Sequence, residues 1–196
     1  MKILFLIFSY LLGAFPSGYV FFWMTDRKDI RDFGSGSTGA TNFARVKGFV
    51  RGIPVMLIDI LKGALPVYCA LRFFPELEVA LLAALLAVLG HCFPVYLKFR
   101  GGKGVATSVG ALAVFGIKPV LLTLGTFILV IVITRYVSLG SILSTLCFPL
   151  FAFILKSEKE IILLGVVFFG LVFIRHSGNI QRLIEGSEKK LGERVQ

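Results

Sequence analysis

The stretch LEVALLAALLAVLGHCFPVYLKFRGGKGVATSVGALAVF (Leu77–Phe115) decides the fold class. An apolar run from Leu77 to Pro94 turns through an aromatic and proline segment and reaches Gly101-Gly102-Lys103-Gly104. A second apolar run begins at once at Val105. Val105–Phe115 covers roughly 16 Å as a helix, about half of a ~30 Å hydrocarbon core. Glycines at three of the four loop positions allow positive φ and close approach to a ligand. Successive N–H groups in such a turn, with the positive end of the next helix, form an anion-binding concavity, and Lys103 adds a full charge. The plainer reading is a basic loop that sets membrane orientation, and the loop composition by itself leaves both open.

Working outward, 57% of the 196 residues are hydrophobic and only 16% are charged. A soluble domain of this size cannot hide that much apolar surface, so the chain reads as one integral membrane domain, 1–196. Apolar segments recur at Ile3–Met24, Gly52–Phe73, Leu77–Pro94, Val105–Phe115, Val120–Thr134, Ser138–Leu155 and Glu160–Ile174. This predicts an all-α, polytopic membrane helix bundle of about seven transmembrane or half-spanning helices; five spans with paired or re-entrant short helices is the alternative. Ile3–Met24 is too long for a signal-peptide core and lacks a small-residue cleavage site, so it reads as the first span.

The net charge of +10 does not point to nucleic acid, because the basic residues sit between apolar spans. Fifteen of the 21 gather in three polar segments and at Arg135: Arg27, Lys28, Arg31, Arg45, Lys47 and Arg51; Lys98, Arg100 and Lys103; Arg175, Arg182, Lys189, Lys190 and Arg194. The positive-inside rule then places the N-terminus outside and the long polar segments and the C-terminus in the cytoplasm. Cys69, Cys92 and Cys147 lie in apolar stretches without ligand spacing, which predicts packing rather than a disulfide frame or metal site. No internal repeat, heptad pattern or low-complexity linker is present, so a site has to form where loops meet helix ends.

Three segments carry chemistry. Gly34-Ser35-Gly36-Ser37-Thr38-Gly39-Ala40-Thr41-Asn42, followed by Arg45, packs hydroxyls, an amide and a guanidinium able to grip phosphate among small residues, and reads either as a binding segment or as a flexible polar connector. Its Gly-x-Gly-x-x-Gly spacing is no dinucleotide signal, because no strand precedes it. Asp59 and Lys62, three apart inside a span, read either as a structural ion pair or as a substrate contact through Lys62. Arg135 to Ser141 reads as a capped turn with a snorkelling arginine or as a wall of the site, with Ser141 the better ligand. His176, next to Arg175 and near Asn179, can exchange a proton near neutral pH. His91, closing an apolar helix, reads as a buried brace for the glycine loop. No nucleophile elbow or Ser/His/Asp pattern offers a covalent acyl-enzyme.

Taken together, these segments resemble the bacterial acyl-phosphate:glycerol-3-phosphate acyltransferases, small integral membrane enzymes. The family's first motif is similar to Gly34–Asn42 with Arg45. The second is similar to Gly90-His91-Cys92-Phe93-Pro94 through Gly101-Gly102-Lys103-Gly104-Val105-Ala106-Thr107. The third is similar to Arg175-His176 with Asn179-Ile180, Arg182-Leu183, Gly186, Glu188 and Lys190. Ser37 and Ser177 depart from the family's usual asparagine and arginine. The resemblance implies acyl transfer from acyl phosphate to the 1-hydroxyl of sn-glycerol 3-phosphate, giving lysophosphatidic acid and phosphate, at the cytoplasmic face of the bacterial inner membrane. It implies no cofactor, no metal and no acyl-enzyme.

On this reading the three polar segments converge on both substrates among membrane lipids. Arg45, Lys103, Ser141 and His176 are expected to hold glycerol 3-phosphate. Ser35, Gly36, Thr38, Gly39, Thr41 and Asn42 are expected to hold acyl phosphate, with loop amides polarising its carbonyl. His176, Asn179 and Lys103 form the expected catalytic set, the base being His176 or a substrate phosphate oxygen. Gly101, Gly102, Gly104 and His91 are expected to shape the loop. An organic-phosphate transporter or lipid flippase is the rival, disfavoured by the missing repeat and by the gathering of polar residues on one side.

Overall fold

The computed structural model describes residues 1–193, and no strand occurs among the described residues. Arg194, counted above among the tail's basic residues, lies outside them. The chain divides into two compact units, Met1–Ala111 and Leu112–Glu193.

In the first unit the expected span Ile3–Met24 is broken. Helices α1 (Lys2–Ala14) and α2 (Ser17–Asp26) meet at 42°. Pro16 supplies no amide hydrogen and pushes Phe15 off helical geometry (ψ 115°), which the apolar pattern alone did not reveal. The polar segment that follows is not all loop. It holds a 3-10 turn at Ile30–Asp32 and helix α3 (Ala40–Lys47), closed by Gly48 at φ +95°. Phe43 on α3 joins Phe22, Ile30 and Val55 in a buried cluster that seats this segment on the helices. Helices α4 (Phe49–Phe73) and α5 (Leu77–Cys92) pack as a hairpin, and α5 also packs on α1.

Small residues allow these helices to touch backbone to backbone. A Cβ at Gly13 would strike the Ala87 backbone, and one at Gly90 the carbonyl of Tyr10, which ties α1 to α5. Gly63 and Gly110 do the same between α4 and α6 (Val105–Phe115), against the backbones of Thr107 and Ile60. Lys2 pairs with Glu76 at 2.7 Å, and the Phe5 and Phe74 rings lie 5.1 Å apart. The chain start and the α4–α5 turn therefore share one end of the unit, and the segments after α2 and α5 share the other.

The second unit contains α7 (Ile117–Thr134), α8 (Val137–Ile154), α9 (Lys159–Arg175) and α10 (Ser177–Ile184). Helix α8 packs on both α7 and α9. The last apolar segment continues through a 60° bend at His176 into α10, a stretch whose polar composition hid its helicity. Among the described residues, four helices are long and apolar enough to cross a membrane, or six if each bent pair counts as one span; α6 is shorter, at 11 residues.

Candidate active site

The glycine loop is folded back onto the end of α5. Gly101 N–H donates to the Cys92 carbonyl at 3.2 Å and Gly102 N–H to the His91 carbonyl at 3.0 Å. These two amides are therefore taken up by backbone, contrary to an anion cradle made of all the loop's N–H groups. The loop's candidate anion-binding groups are then half-buried Lys103 and the amide end of α6. The glycines also differ in purpose. Only Gly104 takes a left-handed backbone, at φ +86°; Lys98 and Phe99 make the other left-handed steps, at φ +54° and +62°. Gly101 and Gly102 are glycine because of close approach. A Cβ on Gly101 would meet the His91 carbonyl and the Pro94 ring, and one on Gly102 would enter the His91 imidazole.

The hydroxyl-rich segment is organised around Asn42, buried on the first turn of α3. Its Oδ1 accepts from Ser35 N–H at 2.7 Å, and its Nδ2 donates to the carbonyls of Phe33 (3.0 Å) and Ser37 (2.8 Å). A side chain at Gly34 would collide with that amide. Gly36 N–H donates to the Phe33 carbonyl at 3.1 Å, and Gly39 N–H to Ser37 Oγ at 3.3 Å. Thr38 is buried with its carbonyl against Gly18, whereas Thr41 is exposed and Arg45 half-buried on α3. Arg31 connects this segment to the other loop. Its Nη1 donates to the Leu97 carbonyl at 3.0 Å while its guanidinium grips Asp29 at 2.6 Å. Hydrogen bonds from Arg31 hold the Asp29 carboxyl below its usual pKa. The first and second polar segments thus meet within one unit.

Beneath both lies a buried ionic group. Asp59 and Lys62, 1% and 4% exposed at the side chain, pair at 2.9 Å. Ser17 Oγ donates to Asp59 Oδ1 at 2.7 Å, and Lys62 Nζ donates to the Phe15 carbonyl at 2.8 Å, in the break between α1 and α2. His91 Nδ1 lies 3.6 Å from Asp59 Oδ1. Of the two readings open for Lys62, this geometry selects the structural pair.

In the second unit, α8 begins where α9 ends. His176 is buried, with Nδ1 2.8 Å from the Val172 carbonyl. A carbonyl only accepts, so Nδ1 carries the hydrogen and the neutral ring has its lone pair on Nε2. Buried Glu188 gathers the surrounding donors. Its Oε1 accepts from Ser138 Oγ (2.9 Å) and Asn179 Nδ2 (2.8 Å), and its Oε2 from Arg182 Nε (2.8 Å). The tail is then stitched to the α7–α8 turn. Leu191 N–H donates to the Arg135 carbonyl at 2.7 Å, and Arg135 Nη2 returns a bond to the Leu191 carbonyl at 3.0 Å. Ser141, one turn along α8 from Ser138, is buried with its hydroxyl on the Val137 carbonyl at 2.9 Å. Ser138 and Glu188 had no assigned role in the sequence reading. The available signal was an acidic residue in a basic tail, within reach of Asn179 once α10 is helical.

Comparison with known proteins adds an independent observation. The family described as glycerol-3-phosphate acyltransferase matches residues 3–186. A relative of that name from Endomicrobium trichonymphae is 41% identical over 191 residues, covering 97% of this chain and 96% of its own. One from Staphylococcus aureus (strain JH9) is 43% identical over 206 residues, covering 97% and 98%. The crystal structure of PlsY (YgiH), an integral membrane glycerol 3-phosphate acyltransferase, in its glycerol 3-phosphate form matches with a TM-score of 0.93 at 35% identity, over 97% of this chain and 96% of that one. The lysophosphatidic acid form of that protein matches with a TM-score of 0.89 at 34% identity, over 98% and 96%.

Proposed function

The chain belongs to the glycerol-3-phosphate acyltransferase family, and from that premise we propose that its acyl donor is an acyl phosphate and that the acylated atom is the 1-hydroxyl of sn-glycerol 3-phosphate. It is a multi-pass membrane enzyme that acylates glycerol 3-phosphate to lysophosphatidic acid. The observation that supports a phosphorylated donor is a second group of phosphate-binding side chains in the first unit beside Lys103 and Arg45: the hydroxyls of Ser35, Thr38 and Thr41 leading into α3.

In this reading glycerol 3-phosphate is held by Lys103, Arg45, Ser141 and His176. Its phosphate draws on Lys103 and Arg45, which form charge-assisted bonds. Acyl phosphate is held by the hydroxyls of Ser35, Thr38 and Thr41, while Gly36 and Gly39, whose amides go to the Phe33 carbonyl and Ser37 Oγ, shape the segment. Asn42 acts from behind, because its amide is committed to the shape of that segment. His176 Nε2 accepts the proton of the attacking hydroxyl, and Asn179 supports the reacting groups. The oxygen attacks the acyl carbon directly. The C–O bond to phosphate breaks, phosphate leaves with the electron pair, and alignment with neutralised charge supplies the acceleration. The enzyme acts at the cytoplasmic face of the inner membrane, with its N-terminus outside and its acyl chain drawn from the lipid phase.

The deciding experiment supplies purified protein with acyl phosphate and glycerol 3-phosphate in detergent or lipid mesophase. Phosphate release matched by 1-acyl product is expected. Equal turnover with acyl-CoA or acyl carrier protein would overturn the donor, and 2-acyl product would overturn the position of attack.

A further inference from the structure

The buried Asp59 group is larger than an ion pair needs. Lys62, three residues on, already satisfies its charge at 2.9 Å. The carboxylate nevertheless also takes the Ser17 hydroxyl and lies 3.6 Å from His91 Nδ1, so it connects α4 to the α1–α2 break and to the last turn of α5. His91 is in turn the floor of the glycine loop. Its carbonyl receives Gly102 N–H, and its ring occupies the space where a Gly102 side chain would stand. Lys103 is the next residue. A rotation of the imidazole would therefore push on Gly102 first and displace Lys103 with it.

We propose that Asp59 is a positioning residue for the reaction: through His91 it fixes the Gly101–Lys103 segment, and with it the ammonium that grips the substrate phosphate. Three observations support this. Asp59 is buried, and its Oδ1 takes the Ser17 hydroxyl and the Lys62 ammonium while His91 Nδ1 packs 3.6 Å from the same oxygen. His91 and Gly102 are packed too closely to move independently. Gly101 and Gly102 are hydrogen-bonded to the same helix end that carries His91, which makes loop and ring one rigid piece. The same carboxylate reaches the other polar segment through Ser17, whose neighbour Gly18 seats the Thr38 carbonyl.

This inference rests on the assignment of Lys103 to glycerol 3-phosphate. Asp59→Asn by itself leaves the Lys62 ammonium buried without its counter-charge and is expected to damage folding. The informative variant is Asp59→Asn/Lys62→Met, which removes both charges and keeps an acceptor for Ser17. Purified in detergent, it is expected to melt within a few degrees of wild type and to raise KM for glycerol 3-phosphate tenfold or more, with KM for acyl phosphate unchanged. Gly102→Ala is expected to raise the same KM, and His91→Ala added to Gly102→Ala to recover at least a third of that loss by making room for the methyl group. That recovery tests the ring–loop contact; a merely structural role for Asp59 would instead leave KM for glycerol 3-phosphate at its wild-type value in the folded Asp59→Asn/Lys62→Met variant. Wild-type KM values in the folded double variant, or no recovery in Gly102→Ala/His91→Ala, would overturn the proposal. A raised KM that falls on acyl phosphate instead would keep the positioning role and overturn only the substrate assigned to the loop.

Discussion

Asp59 and Glu188 are both buried carboxylates serving several partners, but they are built into the chain in opposite ways. Asp59 sits inside a 25-residue helix with a cation on the same helix, and its neighbours lie on α2, α4 and α5. Glu188 lies beyond the last helix and reaches back to α8 and α10, with Arg182 as its cation at 36% side-chain exposure. One is enclosed by apolar helices and reaches candidate chemistry only at second hand, through His91 and Ser17. The other binds the Asn179 amide directly. Damage at Asp59 should therefore appear first as lost stability, whereas damage at Glu188 should reach turnover.

Asp59→Asn breaks the comparison most severely. An uncompensated buried ammonium costs about 3–5 kcal/mol, so thermal unfolding in detergent should show the largest loss of any variant here, with most of it recovered in Asp59→Asn/Lys62→Met. An unchanged melting curve in the single variant would remove Asp59 from the fold's foundations. At the reacting groups the two units should separate by kinetic parameter. His176→Ala should lower kcat by about 10²–10⁴-fold with KM nearly fixed, as loss of a general base does. Lys103→Ala should cut kcat/KM for glycerol 3-phosphate by about 10²-fold, corresponding to a charged partner worth roughly 2–4 kcal/mol. A His176→Ala variant that mainly raises KM would leave that residue a binder only and remove its role as base.

Glu188→Gln is the intermediate test. It weakens charge-assisted bonds worth about 1.5–3 kcal/mol each, and kcat should fall because the Asn179 amide loses its fixed carboxylate acceptor. The smallest effect should come from Asp29. Its depressed carboxyl pKa means that the Arg31 contact is fully present at neutral pH and is lost as pH falls through the folded value, below the ordinary range near about 3.9. Asp29→Asn should therefore cost under about 1 kcal/mol at pH 7, and the difference from wild type should shrink as the pH drops toward that range.

The membrane class was legible because it depends on composition and run length, and α6 matches the segment read from the sequence, Val105–Phe115. The Asp59–Lys62 pair was legible as a local spacing. Hidden were α3 and α10, short helices in polar stretches whose stability comes from docking. Phe43 is buried against Phe22 in one, and Asn179 is bound to Glu188 in the other. Also hidden was the division of labour among the loop glycines, since a glycine kept for close approach and one kept for positive φ are written with the same letter.

By itself the sequence determined a helical membrane chain with three basic, polar segments and the residue types for gripping phosphate. Hydrophobic run length and charge placement act locally along the chain. Only the tertiary structure decided that the first two segments join through Arg31 and Leu97, that Asn42 is spent on its own segment, and that Glu188 closes on Ser138 and Asn179. Those pairings link residues up to 66 positions apart. A hydrogen bond depends on separation in space, which helix packing sets and local pattern does not.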